Sequence, residues 1–137
     1  TRVLVVGGGS VGLETADYLA SRGKRVTVVE ILAAAGADLA RGVKELLLDR
    51  LAQAGVEILT ESTLSEARRG SVLLRRGGAT VTREVDTIVW AIGFASRREL
   101  ADALAGRGLE VKVIGDAHQP RTALEATAEG ALAAREL

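Results

Sequence analysis

Apolar and polar positions alternate along this chain in two different periods, and the changes of period mark its elements. Val3-Leu4-Val5-Val6 is a β-branched run of strand length, and it empties into Gly7-Gly8-Gly9. Helical spacing follows, with Val11, Ala16, Leu19 and Ala20 on one face through Ser21 and Gly23 as the stop. A second strand spans 26–30 (Val26-Thr27-Val28-Val29-Glu30). Residues 31–38 are rich in alanine and glycine without strong periodicity, which predicts a loop crossing the carboxyl edge of the sheet, long enough to cover a bound adenosine. Val43, Leu46, Leu47, Leu51 and Ala54 predict a helix from Leu39 to Ala54, ended by Gly55, and 56–60 reads as a third strand.

Between Thr63 and Val85 the pattern changes to short alternating runs, 71–75 and 80–84, with Gly77-Gly78 between them as a hairpin signal. Such a meander caps one face of a sheet. Asp86 to Gly93 is a continuous apolar run, the form of a strand buried on both faces. A short helix at 97–105, a last strand at 111–116 and an alanine-rich helix from Thr122 to Leu137, after Pro120, complete the expectation. The fold class is α/β: a Rossmann-like parallel sheet flanked by helices, with a small antiparallel β-meander.

Composition narrows the chemistry. The 137 residues carry 18 basic and 18 acidic side chains, so net charge favours neither nucleic acid nor an anionic membrane as partner. No apolar run reaches membrane-spanning length, and the chain opens directly on a core strand without a signal peptide, which predicts a soluble, cytoplasmic protein. There is no cysteine, so disulfides, thiolate metal sites and redox-active thiols are all absent, and any electron chemistry runs on a bound cofactor. The opening on a strand, with no methionine at the start or elsewhere, points to a piece of a longer polypeptide.

The strongest chemical signal lies where the first strand meets the first helix. Gly7, Gly9 and Gly12 form G-x-G-x-x-G, and Glu30 closes the next strand at the distance a dinucleotide requires. Gly7 permits the tight turn, Gly9 lets the main chain approach a pyrophosphate, and Gly12 lets the helix lie close to the sheet. Main-chain N–H groups of Gly7, Gly9, Ser10, Val11 and Gly12, at the positive end of the helix dipole, would hold the pyrophosphate, and Glu30 the adenosine ribose. A carboxylate at position 30 repels a 2′-phosphate and Ile31-Leu32-Ala33 offers no guanidinium, which favours NAD(H) over NADP. Gly93, at the carboxyl end of its strand, either passes under the cofactor or simply ends the strand. His118 reads as an exposed loop histidine, and Asp17, Asp38 and Asp49 as solvated charges.

Three segments in order, Gly7 to Glu14, Thr87 to Gly93 and Ile114-Gly115-Asp116-Ala117, resemble flavoproteins with two dinucleotide-binding domains. The ending, with Pro120-Arg121, Ala123-Leu124-Glu125-Ala126 and Glu129-Gly130, is most similar to the NADH:flavin oxidoreductases related to 2,4-dienoyl-CoA reductase, 2-enoate reductase and trimethylamine dehydrogenase. After Gly93 that family usually has proline and asparagine, whereas this chain reads Phe94-Ala95-Ser96. The resemblance implies an NAD(H)-binding domain at 1–93 and, at 94–137, a crossover, strand and helix that return to an FAD domain. It further implies FAD in the parent enzyme, with the FAD and catalytic domains of that parent as partners of this segment.

Glu14 would then reach toward the nicotinamide, or else be a carboxylate favoured by the helix dipole. Asp116 would correspond to the acid that bonds the FAD ribityl chain, or else cap its own turn. No residue is assigned a catalytic or metal-binding role. Two other readings stay open: a non-catalytic scaffold holding ADP, and an FAD-binding module, for which aromatic and polar candidates are few.

Overall fold

The computed structural model describes residues 1–136, and these divide into two compact units that meet between Ile92 and Gly93 in the sequence. The first unit is an α/β sandwich. Strands β1 (Arg2–Val6), β2 (Arg25–Val29), β3 (Glu57–Leu59) and β7 (Thr87–Trp90) form one parallel sheet in the order β3-β2-β1-β7. Strands β4 (Ser62–Arg68), β5 (Ser71–Arg76) and β6 (Ala79–Glu84) form a separate antiparallel sheet. Helices α1 (Ser10–Ser21) and α2 (Arg41–Gln53) connect the first three parallel strands.

The period-2 alternation of β1 and β2 sorts their side chains into two cores. Val3, Val5, Val26 and Val28 pack with Leu13 and Ala16 of α1 and Leu47 and Leu51 of α2. On the opposite face Leu4, Val6 and Val29 pack with Val72, Leu74 and Val85. The meander therefore covers one face of the parallel sheet, as the change of periodicity predicts. Its Gly77-Gly78 turn has positive φ at both residues, 53° and 82°, the pair of conformations that a tight hairpin between right-twisted strands demands.

Several expectations need correction. The apolar face of α1 is Gly12, Leu13 and Ala16, with Leu19 and Ala20 at its margin, while Val11 is 59% exposed. On α2 only Leu47 and Leu51 are buried, and Val43 and Leu46 face solvent. A third meander strand, β4, precedes the two expected ones, and a register shift between Leu64 and Glu66 breaks its alternation.

Strand β7 is not buried on both faces. It pairs with β1 alone at the edge of the sheet, Ile88 and Val89 are half-buried, and Trp90 is 60% exposed. An edge strand has a neighbour on one side only, and an apolar run cannot announce which position it will take.

The second unit contains α3 (Glu99–Leu104), a 3-10 turn at Gly115–Ala117 and α4 (Ala123–Arg135). None of its described residues is buried. The strand expected at 111–116 is absent: Ile114 is extended, but no strand of the second unit lies beside it to complete a ladder. Helix α4 opens with a capping box in which the Thr122 hydroxyl accepts from the Leu124 amide at 3.3 Å and the Glu125 carboxylate accepts from the Thr122 amide at 3.0 Å. It ends at Arg135 with Glu136 as its C-cap, and the expected last residue, Leu137, lies outside the described residues. No helix among the described residues is long and apolar enough to cross a membrane.

Candidate functional site

The chain leaves β1 through a turn that only glycine can make. Gly7 has φ +108°, and a Cβ on it would fall 2.2 Å from the Ala91 carbonyl oxygen. The turn is pinned between strand ends, since the Gly7 amide donates to the Val29 carbonyl at 2.8 Å and the Ala91 amide to the Val6 carbonyl at 2.8 Å. Gly12 sits so close that its Cβ would be 1.9 Å from the Gly7 carbonyl oxygen. Gly9 differs: the nearest atoms to its Cβ position are those of the Asp38 carboxylate, from 3.4 Å outward. Its neighbour there is a side chain of the covering loop and not packed main chain. In the first turn of α1 the Val11 and Gly12 amides have no hydrogen-bond partner among the described residues.

Glu30 follows β2 directly, beside this turn, and is 8% exposed. One carboxylate oxygen accepts from the Gly8 amide at 2.6 Å and the other from the Leu32 amide at 2.8 Å. Each oxygen of an ionised carboxylate has room for a further donor, so two acceptor positions remain. The position between Gly7 and Gly9 is also crowded, because a Cβ on Gly8 would meet the Glu30 side chain at 3.0 Å and Ala35 at 3.3 Å. Sequence reasoning passes over Gly8, since the motif leaves that position open.

Loop 31–40 folds back over the turn. Ala35 is buried beneath it, and the Gly36 amide donates to the Gly8 carbonyl at 2.7 Å. Asp38, expected as a solvated charge, instead accepts from the Ser10 amide at 2.9 and 3.0 Å and from the Ser10 hydroxyl at 2.7 Å. Those bonds from Ser10 hold its carboxyl below the ordinary aspartate value. Gly9, the residue before the helix, has no side chain to cap it, and a loop acid near an uncapped helix start is the signal that could have singled out Asp38. Asp17 also has a partner, Arg50 of α2, whereas Asp49 stays exposed.

Of the residues expected to contact a cofactor, the structure gathers Gly7, Gly9, Ser10, Gly12 and Glu30 at the carboxyl edge of the parallel sheet. Val11 contributes its amide, its side chain pointing to solvent. Glu14 is exposed and lies past the first turn of α1, so the dipole argument for it weakens. Gly93 and Asp116 belong to the second unit. There Gly93 has φ +84° with open space around its Cβ position, which is a turn conformation. Asp116 is exposed in the 3-10 turn and makes no side-chain hydrogen bond among the described residues. The organiser of that turn is Glu129, which accepts from the Gly115 amide at 2.7 Å, pairs with Arg121 and lies 3.4 Å from His118 Nδ1.

Known proteins are similar to this chain in sequence and fold. A family model described as pyridine nucleotide-disulphide oxidoreductase matches residues 1–130. An NADH oxidase of Thermoanaerobacter brockii is 33% identical over 93% of this chain and 20% of its own length, and a metal reductase of Desulforamulus reducens is 31% identical over 90% and 23%. Among solved structures, histamine dehydrogenase from Rhizobium sp. 4-9 superposes with a TM-score of 0.83 at 26% identity, over 99% of this chain and 23% of that one. The chain thus spans about a fifth of the length of these relatives.

Proposed function

The chain belongs to the pyridine nucleotide-disulphide oxidoreductase family, and from that premise we propose that residues 1–93 bind NAD(H) and hold it for hydride exchange with a flavin of the parent enzyme. The observation that carries the reading is the meeting of two features at one sheet edge. The Val11 and Gly12 amides at the start of α1 have no hydrogen-bond partner among the described residues, and the Glu30 carboxylate, oriented by the Gly8 and Leu32 amides, keeps two acceptor positions.

An adenosine diphosphate moiety fits this arrangement. The amides of Ser10, Val11 and Gly12 would take the diphosphate, aided by the helix dipole, and Glu30 would accept from the ribose hydroxyls. A carboxylate fixed by two main-chain donors cannot turn away from a 2′-phosphate, which favours NAD(H) over its phosphorylated form. When bound, the nicotinamide supplies the hydride chemistry, and this chain's residues bind and orient. Gly93, at the end of the NAD(H)-binding segment, would pass under the cofactor, and residues 94–137, with Asp116, would return the chain to the FAD domain of the parent, whose remaining domains would supply flavin and substrate sites.

A second reading, a scaffold that holds ADP without catalysis, is favoured by one fact: every residue gathered at the turn addresses the ADP half. Calorimetric titration with NADH, NADPH, ADP and FAD separates the two. The proposal expects NADH to bind at least as tightly as ADP and much more tightly than NADPH. ADP clearly preferred over NADH supports the scaffold, and a yellow, flavin-loaded protein with no affinity for NADH overturns both.

A further inference from the structure

A phosphate oxygen held by the start of α1 would use the Ser10 amide and the open space above Gly9. Both are claimed by Asp38, whose oxygens lie 2.9 and 3.0 Å from that amide and 3.4 and 3.5 Å from the Cβ position of Gly9. The claim is built in rather than incidental. The loop that carries Asp38 is tied to the same turn by the Gly36 amide on the Gly8 carbonyl, and Gly36 takes the left-handed conformation, φ +65°, that aims the chain there. The Ser10 hydroxyl adds a third bond to the carboxylate at 2.7 Å.

A diphosphate and Asp38 cannot share these donors. Two unit charges about 4 Å apart repel by about 1 kcal/mol in water and about 4 kcal/mol near a protein surface. We propose that Asp38 is an affinity- and specificity-determining residue of this site, an internal anion that competes with the ligand's diphosphate for the Ser10 amide. The proposal rests on the dinucleotide reading of the turn and adds to it a discrimination by phosphate charge. A ligand held through its ribose alone leaves Asp38 in place, whereas a diphosphate displaces it. The carboxylate is ionised throughout the neutral range, because the Ser10 hydroxyl and amide stabilise its charged form, so the competition operates at working pH.

The test compares wild type with Asp38→Asn, which keeps the shape and an acceptor but removes the charge, in titrations with adenosine, ADP and NADH. The variant is expected to bind ADP and NADH about tenfold more tightly, the equivalent of one charge-assisted hydrogen bond, with adenosine unchanged. Ser10→Ala, which releases one of the three bonds on Asp38 and spares the amide, is expected to move in the same direction by less. Equal affinities for ADP in wild type and both variants overturn the competition while leaving the dinucleotide reading standing. Weaker ADP binding by Asp38→Asn, with adenosine unchanged, also overturns it. Failure of all three proteins to bind ADP or NADH overturns the dinucleotide reading and this proposal together.

Discussion

Adding one methyl group at Gly12 drives it into the main chain of the glycine turn. The new Cβ would lie 1.9 Å from the Gly7 carbonyl oxygen, 3.0 Å from its carbonyl carbon and 3.4 Å from Ala91 Cβ. Comfortable contact is about 3.5 Å, so α1 must retreat from β1 by about 1.5 Å, and the two nearest obstacles are main chain that cannot rotate away. Overpacking of this kind costs about 3 kcal/mol, at the upper end of its usual range, and the better helix propensity of alanine returns less than about 1 kcal/mol. A net loss of about 2 kcal/mol lowers the urea midpoint by about 1–2 M. A unit the size of Thr1–Ile92 has about 5–14 kcal/mol of stability, so Gly12→Ala remains folded enough to measure. The control is Gly42→Ala in α2, where nothing lies within 4 Å of the Cβ position and propensity alone should stabilise by about 0.5 kcal/mol. Urea unfolding followed by far-UV circular dichroism reads both. A Gly12→Ala protein as stable as wild type, beside a normal Gly42→Ala, refutes the close approach of helix to turn.

Three further outcomes are expected. Glu30→Gln removes the charge that would hold the ribose while keeping the shape, so affinity for NADH and ADP by calorimetry should fall about tenfold to a hundredfold; unchanged affinity removes Glu30 from the site. Leu51→Ala empties a fully buried position between α2 and the sheet and should cost about 2–5 kcal/mol in urea unfolding, against a near-neutral change for exposed Leu46→Ala. Bonds from the Arg2 guanidinium and amide push Asp86 down to about 2. Its folded value lies below the ordinary 3.8, so the stability it contributes is present above about pH 4 and is lost as pH falls toward about 2. Urea midpoints of wild type and Asp86→Asn should therefore converge across that window; a gap that is constant with pH counts against the linkage.

How much of this was legible in the sequence follows from the range of the forces involved. The glycine turn, helices α1 and α2 and the Gly77-Gly78 hairpin depend on local conformation and on short-range periodicity, and they stand where the pattern places them. What escaped depends on distant neighbours. The run 86–93 reads as an interior strand, yet β7 lies at the edge, because strand order is decided by pairing rather than by a strand's own residues. Residues 111–116 have strand character without a strand beside them in their unit. On α1, by contrast, helical spacing itself puts Leu13, three residues before Ala16 and seven before Ala20, on their face, and Val11, five and nine residues before them, on the far side, so counting Val11 into the apolar face misreads the period. At the site, the motif reveals the glycines and Glu30. It says nothing about Gly8, crowded by Glu30 and Ala35, or about Asp38, brought from 28 residues away by the folding of a loop.

The amide resonances of the ¹⁵N-labelled chain, followed while NADH is added, report where a dinucleotide sits on the first unit. Saturable shifts confined to Gly7–Gly12, Glu30–Leu32 and the loop through Asp38 are expected, with ADP reproducing most of them. Shifts centred elsewhere, or none at millimolar NADH in a well-dispersed spectrum, would contradict a diphosphate held by the glycine turn and a ribose held by Glu30.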